Sequence, residues 1–440
     1  MDTERSAVPA ARSALADACP ALASGSASDA VAGVVPSYVA APSSTTEVSA
    51  LLRAAASFGL AVVPRGAGTG LGWGSPPLAC DLVVDMRVMN QVLEHAAGDL
   101  VARVQAGATI GQLASVLAAA DQQLALDAPA DATVGGVVAT GTAGPRRFRY
   151  GAPRDLLIGL TVVRADGVIA HSGGKVVKNV AGYDLGKLFS GSQGTLGLIT
   201  EATFRLHPRP AAVAWVTAEF EPAGRAGACS AVAAAAGSAL VPSAVELDWP
   251  GGSQRPLRVG VLLEGTASGV AERAKQMSEL LAAAGGSTAV AETAPPRWGH
   301  LPWPMPSRGG LGGSSPQAST VIRVSFWVSS VESVLDALAE AGGGTGVRAA
   351  VSGPAGAGAL YACLDPGTSD EDAIGFVAAL RDLLRGSLGA RGAVTVLAAP
   401  PPVLAACGDY AQIPGFGLMR AVKDQFDPDH RMFPGRFGGS

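Results

Sequence analysis

The sequence predicts an α+β chain in two main parts: an irregular, glycine-rich α+β unit, then an antiparallel sheet backed by helices. Three observations predict it. The 440 residues are 48% hydrophobic and 15% charged, too long for one compact core and too apolar for disorder. Through residues 36–210, short apolar runs alternate with helical stretches and clusters of glycine. Beyond Pro208 and Pro210 the order strand, helix, strand, strand, helix occurs twice, which reads as two ferredoxin-like halves sharing one sheet.

Residues 1–30 are rich in alanine and serine and read as a flexible N-terminal arm. In "PSSTTEVSALLRAAASFGLAVVPRG", Thr46 is placed to cap a helix over 47–57, Gly59 ends it, and "LAVVP" is a short buried strand. "DLVVDM" is the next strand, and "VLEHAAGDLVARVQAG" is a hairpin turning near Ala97–Asp99. "TIGQLASVLAAADQQLALD" reads as helix then strand, and "DLLIGLTVVRADGVIAHSGG" and "GLITEATFRLHP" as strands. The first large unit is thus drawn at 31–210. The repeated sheet follows over 211–407, with helices expected near 222–237, 267–285, 331–342 and 370–386. Residues 408–440 form a helix and a turn-rich tail that returns to the first unit. Residues 294–318, dense in proline, glycine and tryptophan, read either as a linker or as an ordered loop over a ligand.

A net charge of −4 argues against nucleic acid as the main partner. The start has no continuous apolar stretch of the kind a signal peptide needs, and no apolar run reaches the roughly 18 residues of a membrane span. The five cysteines (Cys19, Cys80, Cys229, Cys363, Cys407) are dispersed, so zinc and iron–sulfur spacings are absent and reduced cytoplasmic thiols are expected. No two of the five histidines fall at metal-binding spacing, and no metal site is expected.

Glycine concentrates in three segments: "PRGAGTGLGWG" (64–74), "TVGGVVATGTAGPRRFRYG" (133–151) and "GGKVVKNVAGYDLGKLFSGSQGTLGLITEATFRLHPRP" (173–210). The first fits neither the dinucleotide fingerprint, because its glycines fall out of register, nor a phosphate loop, because no lysine is near. Successive bare amides can still form a concave nest for an anion. Each segment taken alone also reads as tight turns.

Taken together and in order, with "APSSTTEV" before them and "FDPDHRMFPGR" at the end, these segments resemble the vanillyl-alcohol-oxidase or PCMH type of FAD-binding domain. Within that superfamily the chain is most similar to the FAD-binding subunits of glycolate oxidase, the GlcE type. The stretch "GPRR…G…RD…G…KNVAGYDL" carries that finer likeness. The likeness covers roughly residues 36–210 and, weakly, 408–440. It implies two α+β subdomains around FAD plus the antiparallel cap. It also implies that Arg65, Gly66, Ala67, Gly68 and Thr69 wrap the pyrophosphate. Thr133, Gly135, Gly136, Gly141 and Gly144 would run along the pyrophosphate, ribityl and isoalloxazine, and the backbone of Ile199 would meet the adenine or ribose side. Some relatives link flavin covalently through a histidine in the first loop; Thr69 stands at that place, implying non-covalent FAD.

Oxidation of a 2-hydroxy acid needs a cationic clamp for the carboxylate and a base for the hydroxyl proton. Arg146 and Arg147 follow the Gly144 turn, and a guanidinium fork suits a carboxylate or a phosphate, though a solvated basic patch reads equally well. His300 and Arg308, in the aromatic loop, are candidates to reach the flavin from the cap. His430 precedes a motif in which Phe433 replaces the family's asparagine. His95 and His207 read as surface residues. Lys175, Lys178 and Asn179 match the subfamily stretch, in a structural, contact or catalytic role. The resemblance implies a glycolate or D-2-hydroxy acid oxidase or dehydrogenase complex with a paralogous flavin subunit and an iron–sulfur subunit. Its place would be cytoplasmic, or peripheral to the inner membrane through that complex. A self-sufficient FAD oxidoreductase and a non-catalytic assembly subunit are the alternatives.

Overall fold

The computed structural model describes residues 2–174, 184–250, 255–296, 298–299, 319–408 and 415–437. Helix α1 (Asp2–Ala18) leads into strand β1 (Leu22–Ser24), then β2 (Tyr38–Ala40), helix α2 (Thr45–Ser57), β3 (Val62–Arg65) and β4 (Leu82–Asp85). The four strands lie in the order β1-β2-β4-β3, with β4 parallel to both neighbours and β1 antiparallel to β2. Residues 10–30 are not a free arm. Leu15 and Cys19 are fully buried in one core with Leu51 and Leu52 of α2, and β1 extends the sheet. Burying one leucine stabilises by about 1.5–3 kcal/mol, enough to hold an alanine-rich helix in place. The cap of α2 is Ser44 rather than Thr46. Ser44 Oγ accepts from Glu47 N at 3.1 Å, and the Glu47 carboxylate reaches back to Ser43 N at 2.8 Å.

A second sheet follows. Its hairpin β5 (Val92–Ala96) and β6 (Val101–Gln105) turns through Ala97–Asp99, as expected. Helix α3 (Ile110–Ala118) carries a reciprocal cap between Thr109 and Gln112. After β7 (Gln122–Gln123) come the short helices α4 (Val134–Thr140), α5 (Arg147–Tyr150) and α6 (Pro153–Leu156). Strands β8 (Leu157–Val163) and β9 (Ile169–Gly173), helix α7 (Gly186–Phe189) and strand β10 (Leu198–Arg205) complete it, in the all-antiparallel order β5-β6-β10-β8-β9. Strand β11 (His207–Pro208) pairs with β7.

The eight-stranded sheet contains β12 (Ala212–Phe220), β13 (Ala244–Trp249), β14 (Leu257–Gly265) and β15 (Ser287–Ala291), then β16 (Val321–Ser325), β17 (Ala349–Gly353), β18 (Ala359–Leu364) and β19 (Ala393–Ala398). Its order is β15-β12-β14-β13-β17-β18-β16-β19, and every pair is antiparallel. In each half the fourth strand lies beside the first, and the third separates the first from the second. That is the ferredoxin-like order, with the halves joined through β13 and β17. Helices α8 (Arg225–Gly237), α9 (Ala267–Ala283), α10 (Val331–Thr345) and α11 (Asp370–Leu388) cover one face, where Val245, Val261, Ile322 and Leu360 are buried.

After α12 (Pro401–Cys407) and α13 (Phe416–Phe426) the tail runs back to the first sheet. Val62 N donates to Arg431 O at 2.8 Å and Phe433 N to Val62 O at 2.9 Å, so the tail lies beside β3. No described helix is long and apolar enough to cross a membrane.

All five cysteines are buried. Burial, with help from Asp81 and from Glu332 respectively, pushes the Cys80 and Cys229 thiols up to about 12. The thiolate is the reactive form. Native protein is therefore expected to give no fast reaction with a disulfide dye at pH 7.5, and the full thiol count on unfolding. A thiol titrating within seconds in the native state would contradict the burial described.

Candidate cofactor site

Bare backbone from separate parts of the chain converges on one cleft, the concave kind of surface on which small-molecule sites are built. Arg65, Gly66, Ala67, Gly68 and Thr69 form one wall, Thr133, Gly135 and Gly136 at the head of α4 another, and Ile199 of β10 a third. Glycine is required here by contact as well as by conformation. A Cβ on Gly66 would sit 2.0 Å from Thr133 Oγ1, and one on Gly135 would sit 2.7 Å from Ala106 Cβ. Gly68 has φ +85°, which other residues adopt only under strain.

Gly141 and Gly144 are not on the cleft lining. Gly141 ends α4 in the left-handed conformation and packs on Gly191. Gly144 leaves room for Asp127, whose Cβ would lie 2.5 Å from a side chain there. Asp127 in turn holds Arg146. Arg146 Nε and backbone N donate to its two carboxylate oxygens at 2.6 Å each, while the two Nη atoms donate to Gln123 and Leu126. Arg146 is thus a brace between segments, its guanidinium held by Asp127, Gln123 and Leu126. The Arg65 side chain is engaged similarly, donating to Asp29 at 3.1 Å and Asp85 at 3.0 Å beneath the loop. Burial would raise the Asp85 pKa, but hydrogen bonds from Arg87 and the Arg65 charge outweigh it and hold it below the ordinary carboxylate value.

The sequence did not single out Ser192, Gln193, Gly194 and Arg436, nor give Phe433 a place in the site, yet all five line the cleft. The first three lie in the third glycine segment, where "GSQG" carried a signal. Arg436 is buried; it donates through Nε to Gln193 at 2.6 Å, through Nη1 to Leu71 O at 3.0 Å and through Nη2 to Gly70 O at 2.8 Å. It thereby ties the tail, the first glycine loop and the 192–197 loop together. His430 is not on the lining and pairs with Asp424 at 3.0 Å.

Arg147 has no hydrogen-bond or ion-pair partner for its guanidinium among the described residues, and burial followed by the nearby Arg323 charge lowers its pKa. His300, Arg308, Lys175, Lys178 and Asn179 lie outside the described residues. His95 and His207 are not plain surface residues. His95 Nε2 bonds Gln122 at 2.9 Å, and His207 meets the Tyr150 ring edge-on at 4.8 Å. Among the described residues no group of three or more His, Cys, Asp or Glu is arranged to hold a metal.

Tyr150 and His207 lie where the second sheet meets the cap: Tyr150 Oη donates to Glu264 at 2.8 Å, and burial and then Glu264 push the phenol up to about 12. Burial, then Arg205 and Arg149, lower the His207 pKa. The folded state therefore resists protonating this imidazole, and the unfolded state binds the extra proton first. Thermal stability is expected to fall as pH drops below about 6.5, the ordinary imidazole value. His207→Gln should flatten that limb between pH 7 and 5, and identical slopes for both proteins would contradict it.

Residues 36–173 match the FAD binding domain family. Over 183 residues the chain is 35% identical to the glycolate oxidase subunit GlcD of Bacillus subtilis (strain 168), covering 40% of this chain and 38% of that protein. Over 188 residues it is 38% identical to the probable mitochondrial D-lactate dehydrogenase of Danio rerio, covering 42% of this chain and 38% of that one. The chain thus matches less than two fifths of the length of these relatives. In fold it resembles p-cresol methylhydroxylase, with a TM-score of 0.74 and 16% identity over 98% of this chain and 97% of that one. The chain therefore contains an FAD binding domain, set within a PCMH-type α+β fold whose antiparallel sheet is backed by helices.

Proposed function

We propose that this chain is an FAD-linked oxidoreductase: the GlcE-type FAD-binding subunit of a complex that oxidises glycolate or another D-2-hydroxy acid to the 2-oxo acid. One observation carries the reading. Glycine segments far apart in sequence meet in one cleft whose walls admit no Cβ at Gly66, leaving main chain where an extended, doubly anionic cofactor would lie. The 64–71 and 192–197 loops would hold the pyrophosphate, with Thr133, Gly135 and Gly136 beneath it and Ile199 at the adenine end. When bound, FAD supplies the two-electron acceptor for the substrate C–H bond. Arg436 fixes the carbonyls of Gly70 and Leu71, which keeps the loop in its cradle shape. Among the described residues no histidine, cysteine or tyrosine lines the cleft, which favours non-covalent attachment. Electrons would pass to a partner, with a paralogous flavin subunit and an iron–sulfur subunit completing the complex.

The test is the visible spectrum of the purified chain before and after acid precipitation. Flavin absorbance moving wholly to the supernatant is the expected result. Colour retained in the pellet would overturn the attachment mode, and a colourless chain that takes up no added FAD would overturn the cofactor assignment. The likeness to a probable D-lactate dehydrogenase favours a second reading, a self-sufficient enzyme. Turnover of a 2-hydroxy acid by the isolated chain with an artificial acceptor would decide for that reading.

A further inference from the structure

Asp248, Ser352, Tyr361, Arg323 and Thr395 stand directly opposite one another on β13, β17, β18, β16 and β19. Their strand neighbours Leu247, Val351, Leu360, Ala362, Ile322 and Val324 are buried under the helices, so this polar row occupies the other face of the sheet. Helix α5 lies on that face. Tyr150 reaches Glu264, Arg149 Nη1 donates to Ser243 Oγ at 3.3 Å, and Phe148 packs beside Gly356.

The first residue of α5 is Arg147, close enough to Arg323 and Tyr361 to feel both. Arg323 is partly buried, and its Nε is fully enclosed without a partner. Neither guanidinium has a hydrogen bond or ion pair with any described residue, whereas the adjacent Arg146 is fully engaged with Asp127. Two partly buried like charges within electrostatic reach of one another destabilise the empty state, a repulsion that Asp155 near Arg147 offsets only in part, and an anion between them reverses the sign of that interaction. The planar fork of arginine suits a carboxylate.

We propose that Arg147 and Arg323, one from each side of the junction between the cap and the FAD-binding part, together bind the carboxylate of a small organic acid, with the Tyr361 hydroxyl as a further donor. Identifying that acid with the substrate rests on the function proposed above; the anion site itself does not.

The experiment titrates oxalate into the full chain, with and without FAD, following melting temperature and heat of binding at constant ionic strength. Oxalate is expected to raise the melting temperature of the wild type. Arg147→Gln and Arg323→Gln should each weaken binding about tenfold or more, the loss of one charged hydrogen bond. Without oxalate both variants should melt no lower than the wild type, because each relieves a repulsion, and a merely structural arginine would give the opposite. Tyr361→Phe should weaken oxalate binding by less and leave the fold unchanged. Equal oxalate binding by wild type and both arginine variants, or none by the wild type, would overturn the site. An equal response to inorganic phosphate would overturn its assignment to carboxylate. FAD uptake, read from the visible spectrum of the same samples, reports separately on the cofactor reading.

Discussion

Asp427→Ala is expected to unseat the C-terminal tail and release FAD at lower denaturant than the wild type. Asp427 is fully buried, and its carboxylate accepts from Arg431 N at 3.1 Å, from Met432 N at 2.7 Å and from Lys423 Nζ. Lys423 also donates to Thr195 O at 2.7 Å and Met432 O at 2.9 Å, so one ammonium joins α13, the tail and the loop beside the cleft. Burial lowers the Lys423 pKa even against the attraction of Asp427. Removing the carboxylate alone leaves a buried cation uncompensated, a loss of about 3–5 kcal/mol. The same tail carries Phe433 and Arg436 to the cleft, so the damage is expected to reach the cofactor. The readout is the urea midpoint of flavin fluorescence together with FAD content. Adding Lys423→Met to Asp427→Ala should restore part of the midpoint, since no orphan charge then remains. An unchanged midpoint for the single variant would refute the account.

Local signals made the architecture legible. The two strand–helix–strand–strand–helix passes, each broken by turns, predicted the paired ferredoxin-like halves, because alternation along a strand records which face is covered. The glycine loops were legible because backbone that must approach a ligand closely tolerates nothing larger. What sequence could not show was which distant residue answers each charge. Arg146 and Arg147 are adjacent and identical in type. Only the position of Asp127, supported by the bare Gly144, makes one a brace and leaves the other open to a ligand. Arg323 sits in an apolar strand as one polar residue in alternation, and its meaning comes from the register that sets it opposite Tyr361. Arg436 bonds carbonyls more than three hundred positions upstream, a pairing no local pattern encodes. The N-terminal residues read as an arm because alanine and serine carry little pattern, yet Leu15 suffices to seat α1 on α2.

Gly66→Ala tests whether the cleft is a cradle or only a gap between loops. The new methyl would lie 2.0 Å from Thr133 Oγ1 and 3.1 Å from Thr133 Cβ, so the Thr133 side chain must turn or the loop or the head of α4 must move. Overpacking of this kind costs about 1–3 kcal/mol, and here the displaced atoms are those that line the cleft. The expected result is a loss of FAD affinity of about ten- to a hundredfold, with far-ultraviolet circular dichroism unchanged. The cap core shares no residue with this contact, so its melting transition should stay in place. Thr133→Ala alone should cost little stability, because its side chain makes no capping hydrogen bond. Combined with Gly66→Ala, it removes the hydroxyl that the new methyl strikes and should recover most of the affinity. Such non-additivity is what direct contact predicts. A double variant as weak as Gly66→Ala would show that alanine fails there through backbone conformation instead. A Gly66→Ala protein that bound FAD like the wild type would mean that the cofactor does not press against the first loop, and the reading of the cleft would fail with it.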